Sequence, residues 1–377
     1  MINLNIIKGY ILLLTILVLS CKSNNSGNSG KNTTAIPGIQ DQNKAELAPL
    51  TEGEIHITDK AFGNTIELIG TPINLKENIR PYQLLIKDKY LITKNQRNDS
   101  IFMIFKLPDL KCIASFGSKG SGPDEFISPY IAETKEDSVL CYIYEATDNK
   151  VYKITMDHLS PEYFLTLPRQ KLSIGDKQII FYDSKSAYYA ASSGAGKKIF
   201  SFHIDSLPQE KEYLDLAIPG IKGSWTTVIG DFGINRYYGR LVYAYKYFKR
   251  LKIIEEQSRK ERNIIFDAEN LEKGLNDVAT LEPTNITHFW GMSPGNEFFW
   301  MLYSGRTPIS VQNDNRNNKK YIFVEKYDWN GNPVKRYKLD DWGFFCVDEK
   351  RNTLYLASTA GIHSLLKYDI SDSVQDN

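Results

Sequence analysis

Histidine and cysteine are scarce, five and four residues among 377. No CxxC pair and no Cys/His spacing is present that would assemble a zinc site. The histidines, at 56, 158, 203, 288 and 363, share no register. An excess of charge is missing too: Lys and Arg number 46, Asp and Glu 45. Residues 1–20 hold one charged side chain, Lys8, so the remainder carries 45 against 45 and is neutral. A neutral chain has no electrostatic reason to seek nucleic acid, and no nucleic-acid partner is expected. No apolar run reaches the roughly 20 residues of a membrane-spanning helix, and long amphipathic helical patterns are absent. What remains is ordinary for a folded protein: 42% hydrophobic and 24% charged residues, a balance that argues against disorder.

The start of the chain reads as an address. Lys8 precedes an apolar run at 11–19, which ends at Ser20-Cys21. A basic start, a short apolar run and a small residue before the cut describe a secretory signal peptide over residues 1–20. Val18-Leu19-Ser20-Cys21 resembles a bacterial lipobox. That resemblance implies a lipidated Cys21 (a diacylglyceryl thioether and an acylated amine, palmitate among its chains), with the lipid bilayer as a partner. Several acyl chains at about 0.8 kcal/mol per buried CH₂ make release negligible. The plainer alternative is an ordinary signal peptide with a chance cysteine. From 23 to 34, eleven of twelve residues are Ser, Asn, Gly or Thr. Such a segment cannot bury enough apolar surface to order itself, so 21–54 is expected to be a tether. Residues 22–27 contain no acid, unlike the surface-exported lipoproteins of some Gram-negative groups. The expected location is the cell envelope, anchored to the outer or inner membrane and facing the periplasm.

Beyond residue 54, short runs rich in Tyr, Phe, Ile and Val recur between Gly, Pro, Asn and Asp, the pattern of strands and turns. The runs pair around polar turns at 109, 157, 205, 259, 330 and 369, separated by 48, 48, 54, 71 and 39 residues. Spacings of about 40–50 residues are those of propeller blades. The 71-residue gap points to an insertion near 267–276 that forms a short helix. The expected fold is all-β: a six-bladed β-propeller of four-stranded antiparallel blades over 55–377. The last unit lacks an outer strand, and the N-terminal run at 63–69 is the candidate to close the ring. The rival is a pair of β-sandwiches. Cys112, Cys141 and Cys346 sit in apolar runs and read as small buried hydrophobes; being three, they can form one disulfide at most.

Phe116-Gly-Ser-Lys-Gly-Ser-Gly-Pro-Asp-Glu-Phe126 resembles the F-G-x-x-G-x-G-P-x-E-F loop of the TolB-like six-bladed propeller lipoproteins. The stretches 291–305 and 321–369 resemble that family's later blades. Asp124 stands where the family usually has Gly. The resemblance covers most of 60–370 and implies fold and envelope location; the family's biochemical role is largely undefined.

Motifs that could carry chemistry are few. Gly117, Gly120 and Gly122 could present N–H groups to an anion with Lys119 beside them, but no helix follows, and a tight crossover between blades explains the same glycines. The GxSxG match at 291–295 is followed by a strand pattern, whereas a nucleophile elbow needs a helix. Charged and aromatic residues beside expected inner strands and top loops remain as candidates for a ligand or partner face: Arg80, Lys119, Glu125, Arg236, His288, Tyr303 and Arg306. No catalytic residue, metal ligand or cofactor is assigned. The function expected is a lipid-anchored binding or scaffolding module for a protein, peptide or glycan. The alternative is a metal-dependent hydrolase or lyase of the lactonase or NHL-propeller type, with His288 at the channel.

Overall fold

The computed structural model describes residues 47–96, 99–122, 124–167, 179–193, 196–206, 209–221, 225–266, 285–359 and 363–371. The signal peptide, Cys21, residues 21–46 of the tether and the helix expected at 267–276 lie outside the described residues.

The paired runs are the outer hairpins of successive four-stranded sheets. Blade 1 consists of Pro81–Lys87, Tyr90–Asn95, Phe102–Lys106 and Lys111–Phe116. Blade 2 spans Pro129 to Thr166, blade 3 Ile179 to Asp215 and blade 4 Gly230 to Ile265. Blade 5 spans Thr287 to Leu339, and blade 6 runs from Gly343 to Asp369. Second strands such as Tyr90–Asn95, Val139–Glu145 and Arg240–Tyr245 are buried throughout. Neighbouring blades cover both their faces, which is why they read as continuous runs rather than alternation. The outermost strand Lys111–Phe116 does alternate, with every second residue exposed.

Six apolar clusters glue the sheets face to face, one between each successive pair of blades. The cluster holding Leu91 and Phe105 of blade 1 also holds Tyr355 of blade 6, so the ring is closed. Full burial of one such side chain is worth about 1.5–3 kcal/mol, and that burial is the main force holding the blades together.

An N-terminal strap crosses three blades. Its first strand, β1 (Gly53–His56), adds in parallel to the outer strand of blade 4. A 3₁₀ turn, Asp59–Phe62, follows. The second strand, β2 (Thr65–Leu68), adds in parallel to blade 5. The third, β3 (Thr71–Pro72), pairs antiparallel with Leu366–Lys367 and completes blade 6. Closure by the N-terminus is thus observed, but the run at 63–69 is not the closing strand. Its residues Ile66 and Leu68 pack in the blade 5–6 cluster, and the chain reaches blade 6 only after Gly70. There the ring of Tyr368 presses so close that a Cβ on Gly70 would lie 2.7 Å from it. The compact unit also begins earlier than the expected residue 55, at Leu47. Leu50 is buried in the blade 4–5 cluster, and Asn330 Nδ2 donates to Ala48 O at 2.8 Å.

One helix, α1 (Pro308–Arg316), interrupts blade 5 between its second and third strands. Thr307 caps it, its Oγ1 accepting from Ser310 N at 3.1 Å, with proline in the first turn. A Thr-Pro pair is a readable helix start, and part of the 71-residue gap is this helix.

Candidate ligand mouth of the central channel

All six inner strands run the same way and line one cavity of about 310 Å³. Tyr82, Glu133, Ile180, Asp231, Trp290 and Phe344 contribute to its wall, one from each blade. The inner strands are locked to each other by polar contacts. Gln83 Nε2 donates to Ile131 O at 2.7 Å, and its Oε1 accepts from Ile131 N at 2.9 Å. The channel therefore has fixed walls and two distinct mouths, one where inner strands begin and one where they end.

The first mouth is ringed by aromatic side chains and lysines. Lys94 is opposite Gln83 in blade 1, and its ammonium lies 4.5 Å from the Tyr82 ring centre and 4.1 Å from that of Tyr130. Lys246 follows Tyr245, which is opposite the first residue of the blade 4 inner strand. Its ammonium is 5.2 Å from the Trp290 ring centre and 5.4 Å from that of Tyr247. Trp290 is 37% exposed and meets Trp342 edge-on at 6.5 Å. Asn315 of α1 accepts from Trp342 Nε1 at 3.1 Å, so the helix fixes that corner. Burial lowers the pKa of Lys246 below its ordinary 10.5, with Asp231 opposing the shift. Among the described residues, the Lys246 ammonium makes no ion pair or hydrogen bond. The buried lysines of blade 4 differ: Lys249 pairs with Asp59 and Glu325, and Lys252 with Glu261.

The sequence candidates scatter. Arg80 is exposed on the rim of the first mouth, just before Pro81. His288 donates its backbone N–H to Lys246 O at 2.7 Å, but its ring stacks on Tyr303 at 6.1 Å. Tyr303 in turn faces Lys249, whose ammonium is 3.8 Å from the ring centre. Arg306 holds α1 in place, with Nη1 donating to Asp314 Oδ2 at 2.9 Å and the guanidinium 3.7 Å from the Tyr321 ring centre. Arg236 lies in the turn between the first two strands of blade 4 and stacks 5.3 Å from Tyr182. That turn is at the second mouth, where Asn235 Nδ2 donates to Asn296 O at 2.8 Å. Arg306 is opposite Thr287, the first residue of its inner strand, so Arg236 and Arg306 cannot share a face.

Lys119 and Glu125 belong to the crossover from blade 1 to blade 2. Gly120 N donates to Phe126 O at 3.2 Å, and Gly122 N donates to Glu125 Oε2 at 2.8 Å. A Cβ on Gly120 would fall 2.0 Å from Glu125 Oε2. The N–H donors of Gly120 and Gly122 are spent inside the loop, and a carboxylate fills its hollow. Phe126 is buried edge-on to Phe102, which makes the loop an anchor between blades. The GxSxG segment is a hairpin end: Gly295 N donates to Phe298 O at 2.8 Å, and Ser293 Oγ accepts from Val347 N at 3.0 Å. Cys141 and Cys346 are buried, Cys112 is partly so, and all three are free thiols that burial pushes upward in pKa. Among the described residues, no group of three His, Cys, Asp or Glu side chains is placed to hold a metal ion. No helix there is long and apolar enough to cross a membrane.

Lys94 and Lys246, with their aromatic partners, escaped the sequence reading. A lone lysine after a buried strand carries no motif; only the recurrence of Lys one step from a strand end, at 94 and 246, was visible.

Six four-stranded sheets closed into a ring around a lined channel define a six-bladed β-propeller. The TolB-like 6-blade propeller-like family matches residues 78–350, and the chain belongs to it. Among solved structures, it is similar to a member of the DUF4221 family from Bacteroides vulgatus, with 10% identity, TM-score 0.58, and 81% of this chain and 96% of that one covered. A putative exported protein from Bacteroides fragilis is similar at 11% identity and TM-score 0.52, covering 84% of this chain and 98% of that one. No curated protein matches the chain.

Proposed function

We propose that this propeller is a lipid-anchored binding module of the cell envelope, which presents the first mouth of its channel to a protein, peptide or glycan partner. The observation that carries this reading is the ring of aromatic side chains and lysines at that mouth, opening on a cavity with fixed walls. Aromatic side chains are the commonest energetic anchors of recognition surfaces. The resemblance of residues 18–21 to a lipobox supports the anchor, and the likeness to a putative exported protein is in keeping with an envelope location.

Two measurements test this. Crosslinked capture from native membranes should lose the wild-type partner about ten-fold or more with Trp290→Ala, and keep it with Arg236→Ala at the other mouth. Equal recovery with Trp290→Ala overturns the assigned face. In fractionation, Cys21→Ser should move the protein out of the membrane pellet. Retention in a carbonate-washed pellet would count against the anchor.

A further inference from the structure

Lys246 is a feature of the mouth that packing among the described residues does not explain. A partly buried ammonium costs free energy unless something pairs with it. Elsewhere in the blade 4–5 region that pairing is supplied: Lys249 lies between two carboxylates, and Lys252 donates to Asp215 O at 2.7 Å and pairs with Glu261. Lys246 has the rings of Trp290 and Tyr247 and, for charge, the field of Asp231. Next to it the cavity wall is mixed: Phe232, Met292 and Ile180 line it with Trp290, and so do the carboxylates of Asp231 and Glu133. At about 310 Å³ the cavity is at the low end of small-molecule sites, room for one compact group and not for a polymer.

We infer that the first mouth is a binding site for a carboxylate carried on an apolar body, the ammonium of Lys246 pairing with the carboxylate while the apolar part lies against the rings of Trp290 and Tyr247. This rests on the binding-module reading and names the chemistry its mouth selects. Two sources present such a group: the C-terminal residue of a peptide and a free small carboxylic acid. The aromatic walls take the apolar part; the buried cation rejects the same body without its charge, because the ammonium would then be covered and left unpaired.

The test uses the full-length protein in detergent and follows tryptophan fluorescence on titration. The probes are N-acetyl-leucine, N-acetyl-leucinamide, the peptide Ser-Gly-Ser-Gly-Leu as free acid and as amide, and octanoate. Each acid should bind about ten-fold or more tightly than its amide, the loss of roughly one charge-assisted pair. Lys246→Met keeps the stem and removes the charge, so acid and amide should become equal. Trp290→Ala should weaken acids and amides alike. Lys246→Met should fold at least as stably as the wild type, since it deletes an unpaired, partly buried cation; a thermal melt verifies this before titration. Tighter binding of the pentapeptide than of octanoate assigns a chain terminus; the reverse assigns a free acid. Acid and amide binding equally to the wild type, or neither binding, overturns the inference. If that occurs while Trp290→Ala still abolishes partner capture, the binding module stands without this chemistry; if capture is also unchanged, both fall.

Discussion

Glu325→Ala should destabilise the protein by about 3–5 kcal/mol, the cost of leaving buried charge without its partner. Glu325 is fully buried between blades 4 and 5. Its Oε1 accepts from Lys249 Nζ at 3.0 Å and from Arg336 Nε and Nη2 at 3.0 and 2.6 Å; its Oε2 accepts from Tyr327 OH at 2.5 Å. Removing the carboxylate leaves two cations whose side chains are 4% and 11% exposed, with Asp59 still pairing with both. Asp59 is half exposed, so its screened attraction cannot offset the loss. Urea unfolding measures the difference. Replacing Glu325, Lys249 and Arg336 together by methionine should recover most of it, because an apolar cluster pays no desolvation. A Glu325→Ala midpoint equivalent to less than about 1 kcal/mol would refute the account. Acid adds a smaller effect. Burial raises the Asp59 pKa, but hydrogen bonds from Arg336 and Lys249 outweigh it and the net shift is downward. Its contribution is therefore present above the ordinary value of 3.8 and is lost as pH falls through the lowered folded value.

Removing the strap should have a still larger effect. A chain in which residues 47–72 are deleted loses β1, β2 and β3 together. It also loses the buried side chains of Leu50, Phe62 and Leu68, which are 2%, 4% and 7% exposed. Phe62 lies edge-on to Tyr327 at 5.3 Å and stacks near Phe266, between two blades. Large-to-small changes at such positions cost about 2–5 kcal/mol each. Phe62 and Leu68 belong to different clusters, so Phe62→Ala and Leu68→Ala should add. Their sum approaches the whole stability of a typical domain, about 5–15 kcal/mol. The deletion also bares the outer edges of blades 4, 5 and 6, and open edges pair between molecules. The expected result is aggregation on size exclusion for the deletion, and a large loss of melting temperature for the double variant. A deleted chain that elutes as a monomer and melts like the wild type would sink this.

The fold was legible where it is local. In blades 1 to 5 each outer hairpin, such as Ile101–Phe105 with Cys112–Phe116, is built from contacts less than about twenty residues apart, and its buried strands leave unbroken apolar runs. The blade count followed from the spacing of those hairpins. The closing strand was assigned too early in the chain because 65–68 and 71–72 are both extended and differ only in distant partners: the first pairs with blade 5, the second with blade 6, and between them Gly70 N donates to Asp340 Oδ1, 270 residues away. Arg236 and Arg306 look alike in sequence, yet the register puts them at opposite mouths.

By itself, the sequence settled a ring of six small β-sheets, because apolar runs, turns and spacing are read over short distances. Tertiary structure decided which side chains converge on the channel and which are spent on packing. Lys246 meets Trp290 across a blade boundary, and Glu125 turns back into its own loop. Such meetings depend on how twisted sheets stack, and no spacing within one strand encodes them.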